Sequence, residues 1–122
     1  MDMKLEVVQV PVSDVDSAKA FYVDRCGFNA DHDHQVTDDL RFVQLTPPGS
    51  ACSIVIGPPT KMAPGAIEGL QVVVESAAAA HDELAARGVE VSEVQEFPWG
   101  RFVFFSDPDG NGWAVQEPIR PS

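Results

Sequence analysis

One pattern constrains this chain more than any other: a strand, a helix and three further strands, written twice. Leu5–Val12 is rich in β-formers and partly alternating, which predicts a strand, with Pro11 confined to its end. A helix is expected over about 15–25, where Val15, Ala18, Phe21 and Tyr22 share a face and Gly27 stands just past the end. Ser13, with Asp16 three residues on, reads as its N-cap. Strands are expected at Phe28–Asp33, Leu40–Leu45 and Ala51–Ile56, the last two separated by Pro47-Pro48-Gly49-Ser50.

After a linker at 58–68 the order restarts. Leu70–Val74 reads as a strand, 75–87 as an alanine-rich helix closed by Gly88, and Val89-Glu90-Val91 as the beginning of another strand. The chain closes on a hairpin, Phe102–Phe105 and Trp113–Val115 around Asp107-Pro108-Asp109-Gly110-Asn111-Gly112, whose proline and glycines suit a tight turn. A duplicated supersecondary unit is the simplest reading. Setting Val12 against Val74 aligns Val7 with Gly69 and Gln9 with Gln71.

The turn Asp107-Pro108-Asp109-Gly110-Asn111, together with Val12-Ser13-Asp14 and Ala20-Phe21-Tyr22, resembles the vicinal oxygen chelate superfamily, the glyoxalase, bleomycin-resistance and extradiol dioxygenase group. The resemblance covers nearly the whole chain. It implies an α+β fold in which two βαβββ modules form a curved, mostly antiparallel sheet around a concave cavity, with helices on the convex face. The expected organisation is a single domain over 1–122, with module 1 at about 4–57, the linker at 58–68 and module 2 at about 69–118. The resemblance also implies a homodimer with cavities near the subunit boundary.

Enzymes of this group hold a divalent metal on the concave face with His, Glu or Gln. Carried over position by position, the four ligand places read Val7, Gln44, Gly69 and Ala114, with Gln71 two residues along from Gly69 on the same face. Valine and alanine cannot coordinate, glycine offers only backbone, and one glutamine is too weak a set for such ions. No metal or other cofactor is therefore expected. His32 and His34, flanked by Asp31 and Asp33, would point the same way in a strand and form the one other candidate pair, set against the plainer reading of an exposed polar strand end.

Strand parity and the repeat instead direct Gln9, Gln44, Gln71 and Gln116 into the cavity, with Phe42, Phe104 and Trp113 nearby. Amides that both donate and accept, beside aromatic rings, suit a polar, partly aromatic organic molecule. The expected function is a metal-free binding protein of the glyoxalase/bleomycin-resistance type. The alternatives are a metal-dependent lyase or dioxygenase, and a metal-free isomerase or cyclase using Glu117; no catalytic residue is assigned.

Charge narrows the partners. The 122 residues carry 19 acidic against 8 basic side chains, a net charge of −11, which repels nucleic-acid backbones and favours a cationic ligand. No apolar run approaches the roughly 20 residues that span a bilayer, and no signal sequence leads the chain, so a cytoplasmic protein without membrane contact is expected. Cys26 and Cys52 form no motif and read as buried free thiols.

Overall fold

The computed structural model describes residues 1–119. The doubled pattern is realised as β1 (Val7–Gln9), α1 (Val15–Ala20), β2 (Asn29–Thr37), β3 (Leu40–Thr46) and β4 (Ser53–Ile56), then β5 (Leu70–Val73), α2 (Ala77–Ala86), β6 (Gln95–Phe97), β7 (Gly100–Ser106) and β8 (Gly112–Pro118). The fold is α+β, two βαβββ modules in sequence. The strands gather into two four-stranded mixed sheets, one per module, rather than one continuous ladder: β1-β4-β3-β2 and β5-β8-β7-β6. In each sheet the module's first strand lies parallel to its last, and the other pairs are antiparallel. No helix among the described residues is long and apolar enough to cross a membrane.

Several local details differ from the sequence expectation. The N-cap of α1 is Asp14, whose carboxylate accepts from the Ser17 N–H at 3.0 Å; Ser13 is one residue too early and spends its hydroxyl on Asp109. Past Ala20 the helix widens into a π turn over Phe21–Arg25, closed by the Cys26 N–H on the Phe21 carbonyl at 3.1 Å. Residues 89–94 run without ladder pairing, so the strand expected from Val89 begins only at Gln95. In the last turn Gly110 takes the left-handed backbone (φ +100°), whereas Gly112 does not need it.

Helix α1 packs on β3 and β4, and α2 on β7 and β8. One buried cluster draws on both modules, including Val43, Leu45 and Ile56 from the first and Val103, Phe105 and Val115 from the second. Their interface is aromatic. Tyr22 stacks on Phe28 with ring centroids 5.4 Å apart and meets Trp113 at 5.7 Å, while Phe21 meets Phe105 at 6.2 Å.

The hairpin turn that marks the sequence acts as the clamp of this seam. Asp107 is buried, and its carboxylate accepts from the Tyr22 hydroxyl (2.7 Å), the Asn111 amide (2.8 Å) and the backbone N–H groups of Asp109 (3.0 Å) and Asn111 (2.9 Å). The Asn111 side chain reaches across to donate to the Pro11 carbonyl at 2.8 Å. Asp109 accepts from both the backbone N–H and the hydroxyl of Ser13. A buried carboxylate and amide are tolerated because every one of these groups is paired.

Candidate ligand-binding site

Each sheet has one face under its helix and one open face, and register decides which side chains reach the open one. In the first sheet His32, Gln44, Val55 and Gln9 form one row across β2, β3, β4 and β1, with His34 opposite Phe42 in the next. In the second, Gln95, Phe102, Gln116 and Val73 form a row, and Phe104, Ala114 and Gln71 form the adjacent one. Directly opposed residues share a face. All four glutamines therefore lie on open faces, as strand parity predicts, together with Phe42 and Phe104.

Trp113 does not join them. It lies three residues from Gln116 and so on the opposite face, 4% exposed, stacked on Phe105 and donating its indole N–H to the Tyr22 hydroxyl at 3.0 Å. The open face is instead aromatic through Phe97 and Trp99, which join Phe102 and Phe104. Phe97 stacks on Trp99 (5.4 Å), meets Phe102 edge-on (5.5 Å), and Phe102 stacks on Phe104 (5.8 Å). Trp99 is 61% exposed. The Phe97-Pro98-Trp99-Gly100 turn, two aromatic residues in a hairpin tip, was the signal available for them.

The glutamines are already engaged. Gln71 donates to Gln116 at 2.7 Å, and Gln116 donates on to the Trp99 carbonyl at 3.1 Å, so these two amides and the aromatic turn form one chain. Gln44 donates to the Ser53 hydroxyl at 3.3 Å, which continues to Thr46 and from there to Asp31. Gln9 donates to the Pro58 carbonyl at 3.0 Å. Within the chain they form two groups, one per sheet, not one shared pocket. A cleft of about 670 Å³ between the modules is lined by Gln71 but by none of the other three.

A second cleft, of about 600 Å³, lies at the end of the second sheet. It is lined by Gly69, Ala114 and Phe104, with Glu68 and Glu90 on its walls. Two of the four places where metal ligands would stand thus border a cavity and contribute a hydrogen atom and a methyl group. Of the other two, Val7 sits opposite Ser53 on β4 and Gln44 bonds to that serine. This donor set does not fit a divalent ion. Among the described residues no three His, Cys, Asp or Glu side chains converge. His32 and His34 do point the same way, rings 5.8 Å apart, on exposed strand β2. Glu117, the acid named for metal-free catalysis, accepts from the Ala77 N–H at 2.9 Å, the first N–H of α2, beside the Ser76 N-cap.

Two groups have clear shifts near the seam. Burial, then the Asp107 carboxylate beside it, holds the Tyr22 phenol far above its ordinary range. Burial pushes the Cys26 thiol up to about 12, against the opposing field of Arg87, so it is no nucleophile at neutral pH. Neither is a poised catalytic group.

Comparison with known proteins bears on the family and the fold. The family model described as Glyoxalase/Bleomycin resistance protein/Dioxygenase superfamily matches residues 4–115. The structure of TnmS3, an antibiotic binding protein from Streptomyces sp. CB03234, superposes with a TM-score of 0.88 at 36% identity, covering 97% of this chain and 98% of that one. A glyoxalase/bleomycin resistance protein from the same Streptomyces superposes at 0.81 with 37% identity, covering 93% and 99%. Among curated sequences, the uncharacterized protein YetH of Bacillus subtilis (strain 168) is 28% identical over 120 residues, 96% of this chain and all of that one.

Proposed function

The chain belongs to the glyoxalase/bleomycin resistance protein/dioxygenase superfamily, and from that premise we propose that it is a metal-independent binding protein that sequesters or carries a small organic molecule. The observation that carries the reading is the row Phe104–Ala114–Gln71. Where a family enzyme would present a metal ligand, this chain has a methyl group between a phenyl ring and an amide. That surface binds by stacking and neutral hydrogen bonds. Likeness to an antibiotic binding protein over almost the full length of both chains supports an antibiotic-like occupant, polar and partly aromatic. Glu68 and Glu90 beside the same cleft, and the overall charge of −11, favour a neutral or cationic one.

The two amide groups lie on different sheets, and the modules of one chain meet through their helix-side aromatics. A homodimer that sets the open face of one module against that of the other module in the partner would bring them together. We place this activity in the cytoplasm. The test is a thermal-shift screen over antibiotics, aromatic metabolites and nickel, zinc, manganese and iron salts, with mass determination in solution. A ligand specific to the native state raises the melting temperature by mass action. Stabilisation by an organic compound, with a dimer mass, supports the reading. Stoichiometric metal that survives dialysis and stabilises the fold would overturn it in favour of the lyase or dioxygenase alternative.

A further inference from the structure

We propose that the cleft between the modules is a second ligand site, for a small organic anion with an apolar body. It lies at the helix-side seam, and its floor is apolar: Phe28, Leu84, Phe105 and Trp113 line it. Its volume of about 670 Å³ is within the range of small-molecule sites. One wall is β5, the terminal strand of its sheet, which pairs with β8 on one side only and leaves its other backbone edge toward the cleft.

The charge at this cleft runs against that of the molecule. Arg25 and Arg87 both line it, against a single acid, Glu83. They approach from different modules in a reciprocal way. Arg25 donates to the carbonyl of Gly88 at 3.0 Å, just past α2. Arg87 lies over Gly27, just past the π turn, where a Cβ would meet its Nη1 at 3.3 Å. Arg87 pairs with Glu83 only loosely, at 3.4 Å on the surface, and Arg25 has no carboxylate partner among the described residues. Of the other described cations, Lys19 and Arg41 pair with Asp33 and Arg101 with Glu96, and none of these lines the cleft. Net positive charge on an apolar cavity, in a protein of net charge −11, selects an anion whose hydrophobic part fills the floor while guanidinium donors hold its carboxylate.

The chain has two tryptophans, and Trp113 alone lines this cleft, which supplies the readout. In a Trp99→Phe background, decanoate is titrated against Trp113 fluorescence, with decan-1-ol as the neutral control. The expected result is a saturable response to decanoate and a much weaker one to the alcohol. Arg25→Gln or Arg87→Gln should weaken decanoate binding by roughly tenfold or more, the scale of one lost charge-assisted hydrogen bond. Arg87→Lys should recover part of the loss, and Ala80→Leu, which narrows the cleft from α2, should abolish the response. Phe104→Ala on the open face should leave it intact, separating this site from the one proposed above. No saturable response, equal binding of acid and alcohol, indifference to both arginine changes and to Ala80→Leu, or loss on Phe104→Ala would each overturn the assignment.

Discussion

The Tyr22 hydroxyl donates to the Asp107 carboxylate at 2.7 Å, joining residues 85 apart in the chain and the helix of one module to the hairpin of the other. The same carboxylate collects three further donors from its own turn, so it fixes the hairpin and the seam together. Replacing it with alanine would strand the Tyr22 hydroxyl and the Asn111 amide in a buried setting. Asp107→Ala is expected to lower unfolding free energy by about 2–4 kcal/mol, and Tyr22→Phe by about 1–2 kcal/mol because Asp107 keeps its other donors. Urea unfolding of the two variants tests the order; a larger loss in Tyr22→Phe would contradict this account.

Tyr22 is the one tyrosine in the sequence, so its ionisation can be followed without interference. Its folded pKa is raised by burial and by Asp107, while in the unfolded chain it returns to about 10. A raised value means stability is full below the unfolded pKa and declines as pH rises beyond it. Cys26, raised to about 12, acts in the same direction from about 9 upward. Tyrosinate absorbance should therefore appear together with loss of near-ultraviolet circular dichroism, not before it. A tyrosinate signal in a protein that is still folded would refute the buried pairing.

At the acid end the relevant group is Asp33. The Arg41 guanidinium, then the Lys19 ammonium, hold its carboxyl well below the usual carboxylate range. A depressed value contributes stability above the unfolded pKa of about 4 and loses it as pH falls below that. The group is solvent-accessible, so the effect is screened by salt. Melting temperature measured between pH 6 and pH 3 should fall less steeply in Asp33→Asn than in the parent; parallel curves would show that the cluster contributes nothing.

Two glycines with left-handed backbone should behave differently. Gly110 (φ +100°) has open space where a Cβ would sit, so Gly110→Val costs backbone strain alone, about 1–3 kcal/mol. At Gly65 (φ +83°) a Cβ would lie 2.1 Å from the Asp109 carbonyl oxygen, so even alanine forces the linker off the hairpin turn. Gly65→Ala should destabilise at least as much as Gly110→Val; thermal melts of the two decide.

The open-face amides give the binding prediction. Gln116→Leu removes both the acceptor for Gln71 and the donor to Trp99, on a face already wetted. Ligand affinity should fall by roughly the cost of one neutral hydrogen bond, about 0.5–1.5 kcal/mol, with little change in melting temperature. Calorimetry with whichever compound the screen returns would show it; unchanged affinity removes the amide chain from the site.

The doubled strand–helix pattern was legible because hydrophobic period and turn residues are local signals. The face of each glutamine was legible too, since alternation along a strand needs no partner. Trp113 was misplaced because its type, not its parity with Gln116, guided the reading; an indole suits a core as well as a binding face. The Asp14 cap lost to Ser13 by one residue, a shift that capping signals alone do not resolve. The Tyr22–Asp107 clamp and the arginine-lined cleft depend on how two modules dock, and nothing local encodes that.

In both sheets the first strand of a module lies beside its last, so each half closes on itself and only the linker at 58–68 joins the halves covalently. Beyond its own bonds to the seam, from Gly65 to the Pro11 carbonyl and from Ile67 to Asn111, the linker contributes proximity: it holds the seam's rings, Asp107 and Asn111 at high effective concentration. Cleaving it would turn an intramolecular docking into a bimolecular one, and the nicked protein would behave as a complementing fragment pair whose stability rises with its own concentration.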